Sequence, residues 1–326
     1  MSIRAIKRIT TATPALEGAG VKLHRGFGFG DTGDFDPFLL FDDFRNDRPH
    51  DFLAGFPWHP HRGIETITYV LAGTVAHGDS LGNQGTLGAG DVQWMTAGRG
   101  IIHQEMPTGD EAGRMHGFQL WANLPASLKM TAPRYQDVHA ADIPTIVEDD
   151  GTAVRVVVGE FWGKRGPVDG IAADPTYLDI SVPPGVRKVL PVETTRHAFA
   201  YVFAGAGSFR DASAPRGVLT DTTGEIDLAP VRERTEWGVG APRVSEPGGV
   251  QGPPPESFDV SGNRSLILFD RGDEVVVQAG PEGVRFLLVS GRPLEEPVAW
   301  HGPIVMNTQD ELRRAMQELR DGTFIR

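Results

Sequence analysis

Residues 56–73 read FPWHPHRGIETITYVLAG, and residues 99–107 read RGIIHQEMP. Each stretch carries two metal-ligand side chains at spacing i, i+2: His59 and His61 in the first, His103 and Glu105 in the second. Successive Cβ atoms of a β-strand point to opposite faces, so each pair lies on one face of its strand. Two such strands facing each other converge three imidazoles and one carboxylate on a point. The donor set holds no sulfur and leaves positions open for a substrate. The flanking residues Phe56, Trp58, Ile101, Ile102 and Met106 are too apolar for a merely solvated stretch. Between the pairs, GNQGTLGAGD at 82–91 supplies tight strand reversals.

Three imidazoles and a carboxylate suit Fe, Mn, Co, Ni, Cu or Zn, whereas Mg and Ca prefer more oxygen. A four-ligand zinc site is usually tetrahedral and closed, which puts redox-active Fe2+ ahead. Glu65 shares parity with His59 and His61, and three roles stay open for it: a ligand in place of Glu105, a general base, or a surface group. Pro60 cannot donate a ladder hydrogen bond and weakens any parity argument carried across it. His77 and His116 are further candidates, more commonly structural than functional.

Composition narrows the rest. The 326 residues suffice for about two domains. Forty-one glycines and 25 prolines favour many turns, hence short strands rather than long helices. A net charge of −12 disfavours nonspecific binding to nucleic acid or to an anionic membrane. The absence of cysteine excludes disulfides, thiolate metal sites and thiol catalysis. The opening MSIRAIKRITTATPAL lacks the apolar core of a secretory leader, and no run approaches ~18 apolar residues, so a cytoplasmic location is expected.

The chain also repeats itself. Tyr69–Gly73 (YVLAG) recurs as Tyr201–Gly205 (YVFAG), and Gly90-Asp91 with Ala97-Gly98 recurs as Gly272-Asp273 with Ala279-Gly280. Carried over by these offsets, the ligand positions fall on Pro191, Glu193, Arg285 and Leu287, so the second copy keeps the module without the site. The unequal offsets predict a Gly- and Pro-rich irregular insertion at 211–263. Segments such as TAVRVVVGEF, SLILFDRG and VRFLLVSG read as strands. Thr308 and Glu311 form a capping box ahead of Leu312, Ala315, Met316 and Leu319, which predicts a helix over 308–320. The expected architecture is all-β: a metal-binding module at 1–140, a second module at 141–326 without metal ligands, and a short C-terminal helix.

Long motifs carry a resemblance. DPFLLFDDF at 36–44, FPWHPHRGIETITYVLAG at 56–73 and GDVQWMTAGRGIIHQEMP at 90–107 are similar to the N-terminal hallmarks of the pirins, a family of the cupin superfamily. FQLWANLP at 118–125, KMTAPRYQD at 129–137 and GRPLEEPVAWHGPIVMNT at 291–308 follow in family order. The resemblance implies a bicupin of two jelly-roll β-barrels, with iron in the first barrel and none in the second. It places the ligands on His59, His61, His103 and Glu105, and implies that Glu65, a ligand in many other cupins, is not one here. One implied activity is a quercetin 2,3-dioxygenase-type reaction of a phenolic substrate with O2, with Glu105 or Glu65 as general base. A second belongs to another class: an iron- or redox-dependent regulator that binds a transcription factor or a metabolic enzyme through protein contacts, without touching DNA. A monomer is the simplest reading of a duplicated barrel.

Overall fold

The computed structural model describes residues 2–209, 218–220, 224–226 and 261–325. Apart from those short pieces, the insertion expected at 211–263 lies outside the described residues. Among the described residues, three sheets dominate. A seven-stranded antiparallel sheet runs in the order Arg134–Val138, Val92–Thr96, Ile64–Ala72, His116–Asn123, Phe38–Asp43, Val21–Phe27, Thr13–Glu17. A four-stranded sheet runs Phe56–His61, Ile101–Thr108, Thr74–Asp79, Gln84–Leu87 and faces it across the first barrel. The nine-stranded sheet of the second barrel centres on His197–Ser208 and Glu274–Gly291. The predicted helix forms at Gln309–Arg320, with both halves of the Thr308–Glu311 capping box made. No helix among the described residues is long and apolar enough to cross a membrane.

Period-two alternation gives the strands of the seven-stranded sheet two different jobs. Ile67, Tyr69, Trp94, Phe118 and Leu120 point away from the first barrel and bury against Tyr177, Phe199, Tyr201, Leu268 and Leu287 of the nine-stranded sheet. The alternate residues Leu23, Leu40, Thr68 and Gln119 line the interior of the first barrel. Rings stack densely in the layer between barrels, with Phe41 against Phe118 at 5.7 Å and Tyr201 at 4.7 Å. Each such pair contributes about 0.5–1.5 kcal/mol beyond simple burial. The other face of the nine-stranded sheet is filled by its own cluster, including Ile180, Ala200, Ile267 and Phe286.

The two barrels meet through a pseudo-twofold pair of contacts. Tyr69 Oη donates to Asp179 Oδ2 at 2.7 Å, and Tyr201 Oη donates to Asp43 Oδ2 at 2.7 Å. Each carboxylate is also clamped by an arginine, Arg285 on Asp179 and Arg45 on Asp43. The repeated tyrosines therefore each reach into the other barrel. The glycines ending the repeat turn alike, Gly73 at φ +80° and Gly205 at φ +62°, a region that favours glycine.

Strand pairing corrects the sequence alignment of the repeat. Val75, two residues past Gly73, pairs with Pro107; Gly207, two past Gly205, pairs with Ala279. Counting back along both strands, Glu105 corresponds to Val277 and His103 to Val275. His103 pairs with His59 and Val275 with Leu190, so His59 corresponds to Leu190 and His61 to Val192. The Gly272-Asp273 landmark misleads because it precedes a different strand. Val92–Thr96 and Ser265–Phe269 are the equivalents, since Tyr69 pairs with Val92 and Tyr201 with Leu266.

The ends of the chain cross between barrels. Ile6–Thr11 pairs with Ser265–Phe269 in the nine-stranded sheet. The segment from Ala299 onward returns to the first barrel, where Val305 N donates to Arg62 O at 3.0 Å.

Candidate metal centre and its cavity

Phe56–His61 is the edge strand of the four-stranded sheet, so Pro60 interrupts no ladder on its outer side. Its register with Ile101–Thr108 slips once: His103 pairs with His59, but Glu105 pairs with Phe56. The extra residue falls at Pro57-Trp58 and bulges the strand. Trp58 turns out to solvent, while the Pro57 carbonyl accepts from His59 Nδ1 at 2.9 Å.

The slip leaves His59, His61 and His103 on one face. One ring nitrogen from each lies within 4.8 Å of the other two, and this is the only such group of three or more His, Cys, Asp or Glu side chains among the described residues. Ring centroids are separated by 4.8, 4.4 and 5.0 Å. His61 Nδ1 donates to Pro303 O at 3.3 Å, and His59 Nδ1 donates to Pro57 O, so both rings keep Nε2 as a lone-pair donor. His103 is buried with no hydrogen-bond partner at either nitrogen. Buried polar atoms are normally satisfied, and a cation at the triad would partner the lone-pair nitrogen of this ring. Burial pushes the His103 imidazole down to about 4, against the pull of Glu105. His61 lies well below its ordinary value through burial and the neighbouring His103 and His59. Both rings are therefore neutral, the form that ligates a metal. The donors present fit a transition-metal ion.

Glu105 stands beside the triad, outside the 4.8 Å grouping, and lines the same cavity as His59 and His61. Thr68 Oγ1 lies 3.2 Å from Glu105 Oε1 and 2.8 Å from Gln119 Oε1. Glu65 is elsewhere. The chain leaves the edge strand through Gly63, at φ +77°, and enters Ile64–Ala72, where Glu65 shares a face with Ile67 and Tyr69. That face packs between the barrels, and Glu65 Oε1 accepts from Thr96 at 2.7 Å. Burial raises its carboxyl. The parity linking Glu65 to His61 ends at Gly63, where a Cβ would come within 1.9 Å of Val305 O. Of the other histidines, His77 lies beneath the site, 2.9 Å from Gln93 Nε2 and stacked on Tyr135. His116 contacts Asp47.

His59 and His61 open on a cavity of about 770 Å³, within the ordinary range for small-molecule sites. Its walls are mostly apolar, with Leu23, Leu40, Phe44, Phe52 and Val75 on the barrel side. Trp121 meets His61 edge-on at 5.2 Å, Trp300 packs on Trp121, and Phe29 caps Trp300 at the mouth. Sequence reading missed this second wall. Trp300 and Pro303 lie some 240 residues beyond the histidines, on the segment latched by Arg62 to Glu318 and to the Phe324 carbonyl. Thr68, Gln119, Arg25 and Asp42 were missed too. The one available signal was an isolated polar residue in an apolar stretch, as with Gln119 in GFQLWA.

Comparison with known proteins agrees with this layout. The family described as Pirin matches residues 20–122, and the Pirin C-terminal cupin domain matches residues 248–325. A pirin-like protein of Caulobacter vibrioides is 39% identical over 99% of this chain and 100% of its own length. Human pirin is 35% identical over 94% of this chain and 88% of its own. Among solved structures, a quercetin 2,3-dioxygenase from Acinetobacter baumannii superposes with a TM-score of 0.77 at 28% identity, covering 99% of both chains. Two stacked barrels, profile matches in each half and relatives alike from end to end leave one conclusion: this chain belongs to the pirin family, with the cupin fold.

Proposed function

We propose that the protein is a metal-dependent oxygenase of the quercetin 2,3-dioxygenase type, acting on flavonol-like phenolics with O2. The observation that carries this reading is the imidazole triad: His103 is buried with both ring nitrogens unpartnered, and its neighbours His59 and His61 line a roomy, mostly apolar cavity. The dioxygenase from Acinetobacter baumannii, similar along its whole length, supports it. In this reading His59, His61, His103 and Glu105 hold the ion. Fe2+ is the first candidate, and Mn, Co, Ni, Cu and Zn fit the same donors. When bound, the metal supplies Lewis acidity toward a chelating hydroxyl and, if redox-active, a route for electrons to O2.

The chain's own groups do the rest. Glu105, held by Thr68, is placed to take the proton of a substrate hydroxyl at Oε1 or Oε2. Trp121, Trp300 and Phe29 flank an aromatic substrate and exclude water from the reacting face. Glu65 has no part in these steps. Metal-loaded protein under air should open quercetin's central ring, consuming one O2 and releasing one ring carbon as CO. His61→Ala should return the rate to that of free metal. Wild-type turnover no faster than free metal, across the metals named, would overturn the reading.

A further inference from the structure

The seven-stranded sheet carries one row of polar side chains straight across the cavity wall. Its members are cross-strand neighbours: Thr68 pairs with Gln119, Gln119 with Asp42, and Asp42 with Arg25. All four line the cavity. The rows on either side are mainly apolar. Trp121 opposite Leu40 forms one, and Val21, Leu23, Phe44 and Val70 supply the other. A polar stripe between greasy rows is costly to build, because each group gives up water for a wall of hydrocarbon.

Asp42 shows the cost most plainly. It is 4% exposed, and burial pushes its carboxyl up to about 6 although Arg25 grips it through Nε at 2.8 Å and Nη2 at 2.7 Å. Arg25 also reaches Glu17 at the rim. Hydrophobic residues of similar volume often stabilise a protein as well as a buried ion pair does, so folding alone does not require this one. Gln119 adds a second observation. One end of its carboxamide lies 2.8 Å from Thr68 Oγ1, and the residue lines the cavity as the cross-strand neighbour of Asp42.

We infer that Gln119, Asp42 and Arg25 form a distal recognition set that reads hydroxyl groups on the part of an aromatic substrate remote from its chelating end. The inference rests on the proposed reading of the metal site and refines it: the preferred substrate class is a planar phenolic carrying a second polar edge, rather than any hydroxy-ketone. A ligand anchored at the triad and lying along the wall would meet the Gln119 carboxamide and, as an acceptor, the Asp42 carboxylate. The flanking rows hold its rings. An analogue without remote hydroxyls would cover these groups with hydrocarbon and return no hydrogen bond, which is how polar sites discriminate most strongly.

The test titrates metal-loaded protein under argon with 3-hydroxyflavone and with quercetin, following quenching of tryptophan fluorescence. Both probes carry the same hydroxy-ketone; only quercetin has hydroxyls elsewhere. Wild type should bind quercetin about tenfold more tightly than 3-hydroxyflavone, and Gln119→Leu should cut that ratio about three- to tenfold. The paired change Arg25→Met with Asp42→Leu removes the ion pair without stranding either charge, and should bring the ratio close to one. Tight, equal binding of both probes by wild type would overturn this inference alone. So would a ratio that neither variant moves. Failure of both probes to bind, or binding indifferent to His61→Ala, would remove the metal-site reading and this inference with it.

Discussion

Where the first barrel carries His59, His61, His103 and Glu105, the second carries Leu190, Val192, Val275 and Val277 in the same register, all buried in one apolar cluster. The surrounding sheets are alike enough that the equivalence can be read off hydrogen-bonded pairs. The first barrel is left hollow, with a cavity of about 770 Å³. In the second, Phe161, Leu178, Phe209, Phe286 and Leu288 fill the interior. The same scaffold thus serves once as a container and once as a solid support, and at the ligand positions the difference lies in the side chains. A solid neighbour also braces the hollow one, because the back of the cavity wall is the aromatic layer between barrels.

Exchanging residues between the two sets tests the contrast most directly. His103→Val puts the second barrel's residue into the first. It should lower metal affinity by more than a hundredfold, measured by competition with a chromophoric chelator. The same variant should change the acid response of metal-free protein. His103 titrates near 4 when folded and near 6.5 when unfolded, so the unfolded chain binds more protons between those values. Stability from this group is complete above about pH 6.5 and is lost as pH falls toward 4, about 3 kcal/mol in all. Urea melts of metal-free protein at pH 7 and pH 4.5 should therefore differ less in His103→Val than in wild type. An unchanged pH difference would mean that the buried imidazole is not what acid attacks.

The reverse exchange should fail. Leu190→His places an imidazole in the packed barrel with neither a Pro57-like carbonyl to orient it nor space for a ligand. We expect a loss of about 2–4 kcal/mol in urea melts. Metal stoichiometry should stay at one per chain. A second equivalent bound would show that the scaffold, rather than the few residues around each histidine, prepares the site.

These contrasts explain what the sequence could disclose. The clustering of His59, His61 and His103 was legible because strand parity is local, and the capping box at Thr308 because helix signals are local. Parity carried from His61 to Glu65 broke at Gly63, where the chain passes from one sheet to the other. The repeat was visible in its tyrosines and glycines, but its register depended on pairing across a long intervening segment, so Arg285 and Leu287 stood in for Val275 and Val277. The Trp300–Pro303 wall joins residues far apart in the chain, and the Arg25–Asp42 pair depends on the register of two strands with a separate turn and helix between them. Only the folded sheets put them together.

The smallest effects belong to the contact between the barrels, and there the comparison becomes one of symmetry. Tyr69→Phe removes a donor from Asp179, and Tyr201→Phe removes one from Asp43. Each carboxylate retains two bonds from its arginine, so neither is abandoned in the core, and each variant should cost about 1–2 kcal/mol in urea melts. The costs should be close but not equal. Tyr69 Oη also accepts from Arg155 Nη1 at 3.0 Å, a contact whose loss falls on Tyr69→Phe alone. Arg155 keeps the carbonyls of Gly90 and Ala140 through Nη2, which limits the excess to a few tenths of a kcal/mol. Because the two tyrosines reach in opposite directions across one layer, the double variant should lose about the sum of the two. A loss well beyond that sum would show that the two contacts act as one clamp, so that loosening either barrel loosens the wall of the cavity in the other.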